Sequence, residues 1–241
     1  MMRPDLPASA PGEPIPLWYV LPDGFHPVDL AADPQPRMEE SFDRLSAAHP
    51  SATTDQLVAG VLSFESALGR MVADGLVHFS SFALRTEDDG LLTGLCQIFV
   101  VDRVPGDPNL YPRQVLKAQR TDDAASAPHR AIVPLPCGPA AVTVCDRVVP
   151  VPGACFGVAA DGATEVRSVT FDIAFPGAPE AAALTLTTEA LEYEEEFLEI
   201  ATLVAAGISF TPPTDAPSPD LDVSVATGGP NAGEDIRSVF G

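Results

Sequence analysis

The spacing of apolar residues changes twice along this chain. Between residues 37 and 73 they recur every three or four positions, from 76 to 188 they alternate within short segments, and from 191 to 207 the longer spacing returns. A period near 3.6 puts apolar side chains on one face of a helix, whereas a period of two puts them on one face of a strand. Helices, then a run of strands, then a final helix indicate an α+β fold. We predict one antiparallel sheet of about six or seven strands with helices packed against it.

Two helices are predicted in the first of these regions. One spans 37–48, and the second begins after Thr53, whose spacing to Gln56 fits a capping box. Gly75 follows the second helix, at the position where a residue with left-handed backbone commonly ends a helix. The apolar stripes consist of Met38, Phe42 and Leu45 in the first helix and of Leu57, Val61, Phe64, Leu68 and Val72 in the second.

The middle region predicts strands. Segments 76–85 and 91–101 flank the turn signal Glu87–Gly90 and predict a hairpin. The second of them is apolar on both faces, which predicts a central strand in a sheet covered on both sides. A short helix is predicted at 114–120. Further strands are predicted at 129–136, 141–151, 165–175 and 182–188, followed by a helix over 191–207 and a short strand at 208–210.

The composition separates a folded part from two ends. Residues 1–15 are rich in Pro, Ala, Gly and Ser, and residues 211–241 in Pro, Asp, Ser, Thr and Gly, so both segments are predicted to be disordered. Residues 16–210 are then a single α+β domain. The alternative left open is that 16–125 and 126–210 form two subdomains that share one sheet.

The charge of the chain excludes some partners. It has 34 acidic against 13 basic residues and a net charge of −21, so it offers no basic patch for a nucleic acid or an anionic membrane. The sequence has no run of about 18 apolar residues, so membrane insertion is not expected, and the first residues lack the apolar core of a signal peptide. The four cysteines, which form no CxxC pair, are expected to be free thiols in a cytoplasmic protein. They are Cys96, Cys137, Cys145 and Cys155.

The sequence contains no recognisable catalytic or metal-binding motif. Nucleophile-elbow, zinc-protease, phosphate-loop and dinucleotide-binding patterns are absent, and the four histidines are scattered. His78 lies in the middle of a predicted strand and could be buried beside a carboxylate. The acidic run Glu192–Glu199 has helical spacing, which predicts a solvated helix face rather than paired catalytic carboxylates. We therefore expect a protein that is not an enzyme and that binds no cofactor or metal.

Two aromatic or apolar segments are candidates for binding another protein. Segment 16–30 carries Trp18 and Tyr19 and predicts an edge strand packed on the core, with a recognition loop as the alternative. In the final 235–241, apolar residues return after a long polar stretch, at the spacing of one amphipathic helical turn. The alternative is that this end has no partner. The apolar residues of this terminal segment are Ile236, Val239 and Phe240.

The C-terminal part of the predicted domain resembles a known superfamily. Strands VRSVTFDIAF and AALTLTT, the amphipathic helix EYEEEFLEIATLVAAG and the closing Ile208–Phe210 follow the order found in the PsbP/DcrB-like superfamily, whose actinobacterial branch includes LpqN-type proteins. The resemblance covers about 166–210 and carries over no functional residue. It implies a sandwich of sheet and helices that binds proteins rather than one that catalyses a reaction.

These observations lead to one expected function and two alternatives. We expect a cytoplasmic protein–protein interaction domain, an adaptor or chaperone-like protein that could belong to a secretion or injection apparatus. The first alternative is a small-molecule-binding protein, or an enzyme of unfamiliar type, with a pocket between helices and sheet near His78 or the cysteines. The second is a structural subunit of an oligomeric assembly.

Overall fold

The structure of the protein, a computed structural model, describes residues 17–118, 128–151 and 162–212. The predicted disordered segment 1–15 lies outside these ranges, as does the predicted tail from residue 213 onwards. The strands are β1 (Phe25–Pro27), β2 (Leu76–Arg85), β3 (Leu91–Asp102), β4 (His129–Leu135), β5 (Gly138–Val151), β6 (Gly162–Ala174) and β7 (Glu180–Thr188). The α-helices are α1 (Pro34–Ala48), α2 (Thr54–Ala73), α3 (Tyr111–Ala118) and α4 (Glu194–Ala206).

The described strands form one seven-stranded sheet in the order β1-β2-β3-β7-β6-β5-β4, and every pairing is antiparallel. The predicted α+β class and strand number are thereby confirmed. The pairing of β3 with β7, from Gly94 opposite Thr188 to Asp102 opposite Glu180, joins the N-terminal hairpin to the later strands. The sheet is therefore continuous across the two parts that the sequence left as alternative subdomains.

One face of the sheet forms the main hydrophobic core. Cross-strand partners on this face include Ile98, Leu184, Phe171 and Val142, which are all fully buried. Helix α4 covers them with one stripe of its surface. The buried members of that stripe are Phe197, Ala201, Thr202, Val204 and Ala205. Burial of a large apolar side chain contributes about 1.5–3 kcal/mol, so this contact is a main source of stability.

The opposite face is covered only in part, which corrects the prediction for β3. Helix α2 packs at one side, where Leu68 meets Leu76 and Phe79, and α3 packs on β4, β5 and β6 at the other side. Because α3 has only eight residues, the two helices leave the middle of the face open. Leu95 of β3 is 40% exposed there, in a cleft of about 620 Å³.

The predicted helices α1 and α3 needed their bounds corrected. Helix α1 begins at Pro34 rather than at 37, because Asp33 accepts a hydrogen bond from the Gln35 backbone and a proline suits the first turn. Helix α3 spans Tyr111–Ala118 rather than 114–120, since a 3₁₀ turn capped by Asp107 leads directly into it.

Several local predictions are confirmed. The capping box of Thr53 and Gln56 is present in both directions, and Gly75 has a φ of 99° after the end of α2. The hairpin of β2 and β3 has the predicted bounds to within a residue. The short strand predicted at 208–210 is reduced to a single bridge, in which Ser209 pairs with Trp18.

Candidate functional site

Helices α1 and α2 form a helical hairpin that is only half supported by the sheet. The second half of α2 packs on β2, where the rings of Phe64 and Phe79 meet edge to face at 5.8 Å. The first half of α2 packs on α1, none of whose side chains is buried. The apolar stripe of α1, predicted as Met38, Phe42 and Leu45, is half-buried against α2. The hairpin therefore leaves part of its apolar surface exposed.

An ion pair fixes the base of the hairpin. The guanidinium of Arg37 donates from Nε and Nη2 to the two carboxylate oxygens of Glu65, both at 2.8 Å, and from Nη1 to the backbone oxygen of Asp29 at 2.7 Å. The side chains of Arg37 and Glu65 are 15% and 10% exposed. The hydrogen bonds that Arg37 donates to Glu65 raise the pKa of Arg37 above its usual value. Such a two-pronged pair fixes direction as well as distance, so it orients α1 on α2.

Two grooves flank the seam between the helices, and one of them has an acidic edge. This acidic groove has a volume of about 300 Å³ and a floor of Met38, Phe42 and Val61. Val58 and Leu62 form its far wall and are 42% and 55% exposed. Glu39 and Asp43 line its edge. An apolar floor with a carboxylate edge can accept an apolar side chain that has a positive charge close by.

The predicted candidate Tyr19 belongs to a buried polar network. Its hydroxyl lies 3.0 Å from Nδ1 of His78, and Nε2 of His78 lies 3.0 Å from Oγ of Ser80. His78 is thus held between two hydroxyls, not beside the carboxylate that the sequence suggested. Burial lowers the pKa of His78 and raises that of Tyr19. A histidine within reach of a serine is the geometry of a nucleophile and its base, but Ser80 is 0% exposed and cannot meet a substrate.

The neighbouring Cys96 is equally enclosed. It is opposite Ser80 in the sheet and 0% exposed, and burial raises the pKa of its thiol to about 12. A thiol that stays protonated at neutral pH is a poor nucleophile. The network of Tyr19, His78 and Ser80 therefore attaches the N-terminal segment to the sheet.

A second polar cluster connects α4 to the sheet. Arg167 donates from Nε and Nη2 to the two carboxylate oxygens of Asp146, both at 2.7 Å. Its Nη1 forms an ion pair with Oε2 of Glu194, at 2.7 Å. These hydrogen bonds hold the pKa of Asp146 below its usual value and raise that of Arg167. Glu194 is therefore not purely solvated, which corrects the prediction of a solvated acidic face. The helical spacing does not show this contact, because Arg167 lies 27 positions away in sequence.

The cavity beside this cluster is small. It has about 120 Å³ and is lined by His129, Cys145 and the two acidic partners of Arg167. Small-molecule sites generally measure about 300–1,000 Å³, so this cavity has room for a few water molecules at most. The ion pairs of Arg167 support the first turn of α4.

Asp172 is a buried carboxyl without a hydrogen-bond partner. It is 9% exposed, and its Oδ2 contacts no donor. Its cross-strand neighbours are Ala141 and Ala183, and Tyr111 of α3 is close enough for its hydroxyl to feel the charge. Burial raises the pKa of Asp172 to about 6. Because α3 covers it, the raised pKa reports the cost of burial and not a site open to substrate.

The other predicted binding residues fall in different places. Trp18 is half-buried, and its backbone exchanges two hydrogen bonds of 2.8 Å with Ser209, so it fastens the N-terminal segment beside α4. Cys155 and the terminal residues lie outside the described residues. The terminal candidates in question are Ile236, Val239 and Phe240. The side chain of Trp18 lines neither groove of the hairpin.

The groove residues Val58 and Leu62 were not among the sequence candidates. A signal for them was present: α2 carries apolar residues at 57, 58, 61 and 62, which is wider than a single seam requires. Within residues 17–118, 128–151 and 162–212, no three His, Cys, Asp or Glu side chains are grouped to hold a metal ion. None of the helices in those ranges has the length and apolar character that a membrane span requires.

Compared with protein-family models, with curated proteins and with solved structures, the chain gives no significant match. The resemblance to the PsbP/DcrB-like superfamily therefore stays a prediction. The candidate site rests on geometry alone.

Replacing Glu65 with Ala should loosen the hairpin. The change leaves a mostly buried guanidinium with only its backbone contacts, and we expect it to lower the free energy of unfolding by about 2 kcal/mol. The control is Glu40→Ala, which removes the exposed pair of Glu40 with Arg44, at 64% and 75% exposure. That loss should be below about 0.5 kcal/mol. Urea denaturation measures both values, and equal losses would show that the Arg37 pair has no special role.

Replacing Asp172 with Asn should stabilise the protein in a pH-dependent way. The pKa is raised from 3.8 to about 6, so the folded state holds a proton that the unfolded state releases, and stability falls as pH rises through this interval. We expect the variant to gain about 1–3 kcal/mol at pH 7.5 and nothing at pH 4. Denaturation of both proteins at each pH measures the difference, with the exposed Asp102→Asn as control. A gain that is the same at both pH values would attribute it to packing and contradict the ionisation argument.

Proposed function

We propose that this chain is a protein-binding adaptor whose acidic groove holds the apolar face of a basic amphipathic helix from another protein. The observation that carries the proposal is the exposure of Val58 and Leu62, at 42% and 55%, directly beside Glu39 and Asp43. Both apolar residues lie one turn apart on α2 and face the same groove. Exposed apolar side chains that adjoin one another in a groove are typical of a surface that binds a partner.

The size of the acidic groove favours a helix over a free small molecule. Its volume of about 300 Å³ is at the lower limit for ligand sites and suits one or two side chains of a larger partner. Helices bind such grooves with apolar anchors at i, i+3, i+4 and i+7. Burying Val58 and Leu62 under such anchors would contribute about 1.5–3 kcal/mol for each side chain that becomes fully buried.

The charge of the chain favours a basic partner. With a net charge of −21, the protein attracts a positively charged helix and repels an acidic one, most strongly at low salt. Glu39 and Asp43 add this preference at the groove itself. A second copy of the chain would bring the same acidic surface to the groove, which disfavours the alternative of a self-assembling structural subunit.

A cytoplasmic location is part of the proposal. The described cysteines Cys96, Cys137 and Cys145 are all free thiols. Free thiols are usual where the compartment keeps cysteines reduced. A chaperone-like role in a secretion or injection apparatus is the more specific form of the same proposal, and the groove is the surface through which it would act.

The proposal is tested with a synthetic peptide and neutral substitutions. The probe is a fluorescent helical peptide with Leu at i, i+3, i+4 and i+7 and Lys on its other face, and its counterpart carries Glu in place of Lys. We expect binding of the basic peptide only, about 10- to 100-fold weaker for Leu62→Gln because one apolar contact is lost. Fluorescence anisotropy measures the dissociation constants, and added salt should weaken binding further.

Leu203→Gln is the matched control for this experiment. Leu203 lies on α4, is 58% exposed and is remote from the acidic groove, so its loss changes neither the charge nor the groove. Val58→Gln should behave like Leu62→Gln. If the basic peptide binds the Leu62 and Leu203 variants equally well, the binding reflects net charge alone and the proposed groove is wrong.

A further inference from the structure

A larger cavity lies on the other side of the seam between α1 and α2. It has a volume of about 500 Å³, within the usual range of small-molecule sites. Its floor is apolar and consists of Leu45, Leu57, Val61 and Phe64. Of these residues, only Val61 also lines the acidic groove, so the two sites present different surfaces of the same hairpin.

Gly60 keeps part of this cavity empty. A Cβ atom at this position would contact only Cδ1 of Leu45, at 3.8 Å, so the backbone has room for a side chain. Glycine is among the poorest helix formers, and Gly60 is in the interior of a helix of 20 residues. Neither a turn nor a positive φ requires it there. The missing side chain leaves space beside the floor that a ligand can fill.

The mouth of the cavity has an unusual charge for this protein. The chain has 34 acidic residues, yet none of the residues that line the cavity is Asp or Glu. Arg44 and His49 lie at the mouth instead, together with the side chains of Ser51 and Gln56. The acidic groove on the other side of the seam, in contrast, carries Glu39 and Asp43.

Arg44 can turn to a ligand at little cost. Its Nη2 lies 2.6 Å from Oε1 of Glu40, but the two side chains are 75% and 64% exposed. Exposed pairs one helical turn apart contribute little to stability, and the guanidinium has further N–H groups to donate. A carboxylate at the mouth can therefore share or replace the contact with Glu40.

We propose that this cavity binds a small amphipathic carboxylate, with a single alkyl chain on the apolar floor and the carboxylate at Arg44. The volume and the floor account for the chain, and the cationic mouth accounts for the anion. This site is independent of the proposed protein-binding groove, because its ligand has the opposite charge and rests on other residues.

Titration calorimetry with decanoate tests the proposal, and decanol and decyltrimethylammonium are the neutral and cationic controls. We expect decanoate to bind with a negative heat-capacity change, as for burial of apolar surface. Decanol should bind about tenfold more weakly and the cation should not bind. Arg44→Gln should weaken decanoate about tenfold and leave decanol unchanged.

Substitutions of two glycines on α2 separate the cavity from general stability. Gly60→Leu should fill the cavity, abolish decanoate binding and raise the Tm, since leucine favours the helix. Gly69→Leu should raise the Tm similarly and leave decanoate binding unchanged, because a Cβ there meets nothing within 4 Å. Leu62→Gln should also leave it unchanged, so failure here and failure of the adaptor proposal are distinguishable.

Methyl NMR of the unmodified protein gives a second readout in case a variant fails to fold. Decanoate should shift the methyl signals of Leu45, Leu57 and Val61 and leave those of Leu92 and Leu186 in the main core unchanged. Three results would each overturn the proposal: no binding of decanoate, equal binding of decanoate to the Gly60→Leu variant, or equal affinity for decanoate and decanol. The last would indicate an apolar cavity without a preference for anions.

Discussion

The antiparallel pairing of β3 with β7 is the constraint on which the rest of the molecule depends. It aligns residues 94–102 with 180–188, so it closes a loop of roughly 80 residues and carries an entropic cost of closure. This pairing places the strands β1–β3 and the strands β4–β6 in one sheet. Helix α4, which follows β7 directly, then has a continuous apolar face to cover. The burial of Phe197 and Val204 in turn offsets the cost of that pairing.

The polar clusters around Arg167 and His78 hold this core together. Arg167 ties the first turn of α4 to β5 and β6, and the hydroxyl of Tyr19 meets His78 on the same face. Arg167 and His78 both meet partners inside the fold and are largely covered by it. The hairpin of α1 and α2 is different, because the sheet supports only the second half of α2. Apolar residues of this hairpin, among them Val58 and Leu62, are left partly exposed.

The sequence predicts what depends on neighbouring residues. Three local features were predicted correctly from the sequence: the capping box at Thr53, the left-handed Gly75, and the hairpin of β2 and β3. Contacts between residues distant in sequence could not be predicted in this way. Nothing in the periodicity shows that Glu194 meets Arg167 or that His78 lies between two hydroxyls. The candidate groove was missed for a related reason. The stripe through Leu57 and Val61 predicts a single apolar face of α2. It does not show that packing against α1 leaves Val58 and Leu62 partly exposed.

The two sides of the hairpin also show why net charge alone describes this protein poorly. A value of −21 suggests uniform repulsion of anions, yet the wall of α1 divides its charges. Glu39 and Asp43 fall on one side of the seam, and Arg44 falls on the other, only one position beyond Asp43. Adjacent residues on a helix point about 100° apart, so a single step along α1 changes the sign of the charge at the groove. Screening limits the effective range of exposed charges to about 10 Å at moderate salt, so the charges nearest each groove favour the ligand proposed for it.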